Sequence, residues 1–140
     1  MTVDTGDELA QKMKVWCHGR TVQLCVLFGS QATGKARTDS DIDLALWVKP
    51  PPEPLVKLRW LGELIDLLGK EVNVVWVGPD TNPVLGFEIV RDGRVLFERE
   101  PGIWATKQLH LWHAYTDAAP FRRLAREQMR QFAAEVHDGS

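Results

Sequence analysis

Two apolar runs, VQLCVLF at 22–28 and DIDLALWV at 41–48, are separated by the twelve residues GSQATGKARTDS. No other feature constrains the fold as much. In the first run Val22, Leu24, Val26 and Phe28 alternate, and Cys25 and Leu27 fill the positions between them. Apolar residues at both parities of a period-two element mean a strand covered on both faces. Such a strand needs helices above and below it, so the fold is a layered one with a sheet in the middle. The linker is polar, contains glycine and shows no helical period, so the first two strands form either a long-looped hairpin or a βαβ unit. The pattern leaves the strand order open.

The remaining elements follow from periodicity and punctuation. Leu9, Met13 and Trp16 fall at helical spacing within 7–17, with Asp4 or Thr5 available as cap and His18-Gly19 as the end. Lys49-Pro50-Pro51-Pro52 is a stiff break. The spacing predicts a helix over Pro54–Leu68 with Leu55, Leu58, Leu61, Ile65 and Leu68 on its inner face and Gly69 as its stop. Glu71 to Val77 reads as a strand with Val72, Val74 and Trp76 on one side. Asn82-Pro83 opens a short helix running to Arg91, Asp92-Gly93 marks a turn, and Arg94 to Phe97 is a short strand. Beyond Pro101 the pattern is helical and is split at Pro120. One stripe there is Trp104, Leu111 and Tyr115; a looser one is Phe121, Leu124, Met129, Phe132 and Val136. The expected fold class is α+β: a small mixed sheet of about four strands flanked by helices, with helices at the C-terminus. Residues 1–100 form its core, and 101–140 a helical extension of the same domain.

Composition narrows the function classes. A chain of 140 residues, 44% hydrophobic and 26% charged, suits one soluble domain. A net charge of −2 gives no general attraction for nucleic acid. Arg122, Arg123, Arg126 and Arg130 are grouped, but beside Glu127 they read first as a solvated helix face. No stretch has the length of a membrane span, and MTVDTGDELAQKMK lacks the apolar core of a signal peptide. The expected location is the cytoplasm, with no membrane partner. Cys17 and Cys25 lack metal or redox spacing and read as reduced, structural thiols.

The second run carries the chemistry. Residues i and i+2 of a strand point the same way, so Asp41 and Asp43 place two carboxylates side by side. Like charges that close raise each other's pKa unless something compensates them. A solvated strand entrance is one answer; a divalent cation is the other. Mg²⁺ is usually held by one or two carboxylates together with substrate phosphates. Gly29 permits close approach of the backbone to a bulky ligand, and Ser30 adds a hydroxyl and an N–H suited to phosphate. Lys35 and Arg37 supply positive charge in the same loop.

Gly29-Ser30, ten residues, then Asp41-Ile42-Asp43 resembles the GSx10DxD signature of the DNA polymerase β-like nucleotidyltransferases. The best fit is the minimal nucleotidyltransferase (MNT) family, the antitoxin half of HEPN–MNT toxin–antitoxin pairs. The likeness is firm over 22–47 and looser to about residue 100. It implies that Gly29 and Ser30 hold a nucleotide triphosphate and that Asp41 and Asp43 are the catalytic carboxylates and ligate two Mg²⁺ ions. The activity implied is Mg²⁺-dependent transfer of a nucleoside monophosphate, AMP from ATP, to a hydroxyl on a HEPN-type toxin partner. Relatives place a third carboxylate on the next strand, and here Asn73 of VNVV stands in that position. An amide carries no charge and accepts no proton. The alternative implied by this departure is a catalytically weakened nucleotide-binding module that neutralises its partner by contact. Glu71, on the same strand face, would have to reach along the strand by roughly 7 Å to replace it.

Overall fold

The computed structural model describes residues 5–34 and 41–138. Asp4 as a cap, Lys35 and Arg37 in the loop, and the Val136 side chain lie outside what it describes. Ten elements follow one another: α1 (Thr5–His18), β1 (Val22–Phe28), α2 (Ser30–Thr33), β2 (Ile42–Val48), α3 (Pro54–Leu68), β3 (Val72–Trp76), α4 (Pro83–Asp92), β4 (Arg94–Glu98), α5 (Ile103–Asp117) and α6 (Ala119–Asp138). The strands form one sheet in the order β3-β2-β1-β4. β1 is antiparallel to β2 and to β4, and β2 is parallel to β3. The fold is therefore α+β with a mixed sheet, and β1 and β2 make the long-looped hairpin. α3 is the crossover that makes β2 and β3 parallel.

Both central strands are covered on both faces, as their unbroken apolar runs require. One face carries Cys25, Leu27, Leu44 and Leu46 against Met13 and Trp16 of α1 and Trp60 and Leu64 of α3. The other carries Leu24, Val26, Ala45 and Trp47 against Ile89 of α4 and Leu111 of α5. Trp16 and Trp60 meet edge to face at 5.4 Å between ring centroids. Cys17 and Cys25 are free and buried. The Cys25 thiol is pushed up from its ordinary value by its hydrogen bond with Cys17 and by burial, as expected of an inert structural thiol.

Several ends match their sequence signals. Gly69 adopts the left-handed conformation (φ 68°) and its N–H donates to Ile65 O, closing α3. The Asn82 side chain accepts from Val84 N at 2.8 Å, capping α4. Two expectations change. The inner face of α3 is centred on Trp60 and Leu64, while Leu55 and Leu58 are 80% and 65% exposed. The linker after β1 contains a helical turn, α2. Trp104 and Leu111 of the first C-terminal stripe pack on the sheet, and Trp112 of the same helix is exposed. Further on, α6 also leaves Phe121, Leu124, Met129 and Phe132 facing solvent.

One tie was not visible in the sequence. The Arg99 guanidinium, just beyond β4, donates to Val22 O at 2.9 Å, Arg20 O at 2.7 Å and Cys17 O at 3.1 Å. It satisfies the last carbonyls of α1 and the turn into β1 with a cation, which the helix C-terminus favours.

Candidate functional site

The site residues lie at one end of the sheet, where β1 stops, β2 starts and β3 runs beside it. β1 ends at Phe28, and Gly29 then takes φ 73° and ψ −156°, a conformation that L side chains avoid. Gly29 O accepts from Ala32 N at 3.2 Å and Thr33 N at 3.3 Å, winding Ser30–Thr33 into one turn that closes at Gly34 (φ 75°). Ser30 is therefore the first residue of that turn and is half-buried.

Pairing across the sheet brings the acids to this turn. Asp43 is the register partner of Phe28 on β1 and of Asn73 on β3. A Cβ placed on Gly29 would come within 2.5 Å of Asp43 Oδ2. Only glycine allows the chain to pass this close to the carboxylate. Asp41, two residues before Asp43, is exposed, and Asp43 is half-buried. The exposed Asn73 amide lies between them: Nδ2 donates to Asp41 Oδ2 at 3.3 Å and to Asp43 Oδ1 at 3.2 Å. These distances are at the long end for N–H···O bonds, so the amide spans the gap between the carboxylates without gripping either.

Gly29, Ser30, Asp41, Asp43 and Asn73 thus lie together at one end of the sheet. Glu71 is exposed just ahead of β3, and its carbonyl accepts from Ile42 N at 2.9 Å. Among the described residues no cluster of three or more acidic, histidine or cysteine side chains forms a metal site, because an amide occupies the third position. Two carboxylates opening to solvent beside a glycine turn still form an oxygen donor set that suits a hard cation sharing its shell with phosphate oxygens.

A cleft of about 320 Å³ opens beside the same turn, lined by Gln31 and Gly34 together with Lys12, Lys70, Arg94 and Glu8. Its floor includes Leu27 and Ile42, whose side chains belong to the α1/α3 face of the sheet. The aspartates alternate with Ile42 and so project from the other face. The cleft and the carboxylates therefore flank the glycine turn from opposite sides of the sheet, and the cleft contributes three cations near it.

Comparison with known proteins places this arrangement. The profile of the family described as "Polymerase beta, Nucleotidyltransferase" matches residues 11–102. A search of curated proteins by sequence returns no match. Among solved structures, a chain of a toxin–antitoxin complex with AMP-PNP superposes with a TM-score of 0.74 at 20% identity, covering 86% of this chain and 98% of that one. A chain from the tri-AMPylated Shewanella oneidensis HEPN toxin in complex with its MNT antitoxin gives 0.67 at 17% identity, covering 89% and 96%. The MntA–HepT toxin–antitoxin complex gives 0.66 at 17% identity, covering 89% and 97%. At these identities the superpositions establish a shared fold. The family match runs from within α1 through β4 and includes the glycine turn, both aspartates and Asn73, and on that match the chain belongs to the polymerase β nucleotidyltransferase family.

Proposed function

We propose that this protein is a Mg²⁺-dependent nucleotidyltransferase that acts as an antitoxin, moving AMP from ATP to a hydroxyl of a HEPN-type toxin. The observation that carries the reading is the meeting of the Gly29 turn with Asp41 and Asp43 at one sheet end. The family match and the resemblance of the fold to toxin–antitoxin chains support it.

In this reading the backbone around Gly29 and Ser30 receives the triphosphate, because no side chain at Gly29 obstructs approach. Asp41 and Asp43 would hold Mg²⁺, which when bound would neutralise phosphate charge and stabilise the leaving pyrophosphate. The acceptor oxygen forms a bond to the α-phosphorus, the bond from that phosphorus to the β-bridging oxygen breaks, and pyrophosphate leaves. The hydroxyl proton cannot go to Asn73, whose amide nitrogen has no basic lone pair to take it. It passes to solvent or to a base on the partner. The partner docks on α6: Phe121, Leu124, Met129 and Phe132 are all more than half exposed and fall on one side of the helix, with Arg123, Arg126 and Arg130 on the other. A helical toxin would cover that stripe.

A second reading is favoured by Asn73 itself: with an amide in the third position, the chain binds nucleotide but silences its partner by contact alone. Incubation with labelled ATP, Mg²⁺ and the toxin separates the two. The enzyme reading expects label on the toxin, lost in the Asp41→Asn/Asp43→Asn double variant. An unlabelled toxin that is nevertheless inhibited leaves only the contact reading.

A further inference from the structure

We infer that Asn73 restricts this site to one divalent cation, brought in with the nucleotide, where a carboxylate at that position would admit two. The inference rests on the nucleotide-binding reading above and concerns how many ions that site takes. Asn73 and Asp43 are register neighbours on parallel strands, so their side chains stand abreast. The Asn73 Nδ2 faces one oxygen of each aspartate, at 3.3 and 3.2 Å. A planar amide with its nitrogen turned to both carboxylates has its carbonyl oxygen turned away from them. To ligate an ion, the amide has to turn over and give up both hydrogen bonds.

Ligand supply leads to the same count. Asp41 and Asp43 bring two carboxylates, which together with phosphate oxygens suit one dication. A second dication has no further acid among the described residues that gather here; Glu71 stands exposed ahead of the strand. It would rest on the nucleotide's phosphates alone, which the first ion already shares. The amide also changes the free protein. Its donors relieve the repulsion between the carboxylates that would otherwise recruit a cation. An ion arriving alone displaces two hydrogen bonds and gains only two carboxylates, whereas an ion arriving on a triphosphate keeps its phosphate oxygens. Asn73 is thus a positioning residue that sets the number and order of ions.

Equilibrium dialysis of the intact chain against Mn²⁺ with AMP-PNP tests this by counting ions and nucleotides bound per chain. The expected result is one Mn²⁺ per bound AMP-PNP for the unmodified chain and for Asn73→Ala, and two for Asn73→Asp. The unmodified chain without nucleotide should retain much less Mn²⁺ than Asn73→Asp does. Circular dichroism confirms that each variant is folded, and all three keep an exposed side chain at position 73. Two Mn²⁺ per AMP-PNP in the unmodified chain or in Asn73→Ala overturns the inference and leaves the nucleotide-binding reading intact. One Mn²⁺ in Asn73→Asp also overturns it, because Asn73 is then not the limiting group. Absence of both Mn²⁺ and AMP-PNP from all three chains overturns the nucleotide-binding reading, and the inference with it.

Discussion

Gly29 shows how closely one residue ties backbone geometry to the site. Its φ of 73° and ψ of −156° already disfavour a side chain, and an added methyl would press on Asp43 Oδ2. Gly29→Ala should cost about 1–3 kcal/mol in urea unfolding from backbone strain. It should weaken binding of Mg²⁺–AMP-PNP beyond what that destabilisation explains, because the displaced group is a proposed ligand. Ser30→Ala, at a position with ordinary helical geometry, should leave the unfolding midpoint nearly unchanged. Gly29, Asp41 and Asp43 were legible because they sit in one short stretch whose spacing has a chemical meaning. The Asn73 bridge was legible only as a substitution in a pattern. Its donation to both acids depends on the β2–β3 register, between residues 30 and 32 positions apart in the chain. Arg99 was invisible for the same reason: its carbonyl acceptors lie 77 to 82 residues away in the chain.

Elements with strong local punctuation could be read closely from sequence, and those decided by packing could not. Gly69, Asn82 and Pro83 fix the ends of α3 and α4 because caps and left-handed stops act within a few residues. The orientation of α3 depended on tertiary contacts. Leu55 and Leu58 fit an apolar stripe as well as Val56, Trp60 and Leu64 do, and the sheet chose the stripe with the tryptophan, which meets Trp16 edge to face and Trp76 at a tilt. α2 is a single turn, too short to show a period. α6 presents the reverse case, a readable apolar stripe that no described residue covers. It is fastened near its start, where the Arg122 guanidinium lies 3.6 Å from the Tyr115 ring centroid and donates to Tyr115 O at 2.6 Å. Leu124→Asp with Phe132→Asp should therefore shift stability by no more than about 0.5 kcal/mol each, as surface changes do, while abolishing capture of the toxin partner in a pull-down. Trp60→Ala, in the core, should cost about 3–5 kcal/mol.

Across the whole molecule, the doubly covered hairpin β1–β2 is the scaffold and the site is its open end. α1 and α3 cover one face and α4 and α5 the other, so the strands are packed on both sides up to Phe28 and from Ile42. The paired strand ends bring Gly29 and Asp43 together and set Asp41 beside them. The family match ends at residue 102, just before α5, so the proposed nucleotide site lies inside it and the proposed docking helix outside it. No helix among the described residues is long and apolar enough to cross a membrane. The two-layer covering was evident from the apolar runs alone. The order β3-β2-β1-β4 was not, because it depends on which helix crosses which face. The most direct test of the account is calorimetric titration of AMP-PNP with Mg²⁺ into the unmodified chain and into Asp43→Asn. The account predicts Mg²⁺-dependent binding that weakens at least tenfold in the variant, about 1.4 kcal/mol. Equal affinity in both chains, or binding indifferent to Mg²⁺, would contradict it.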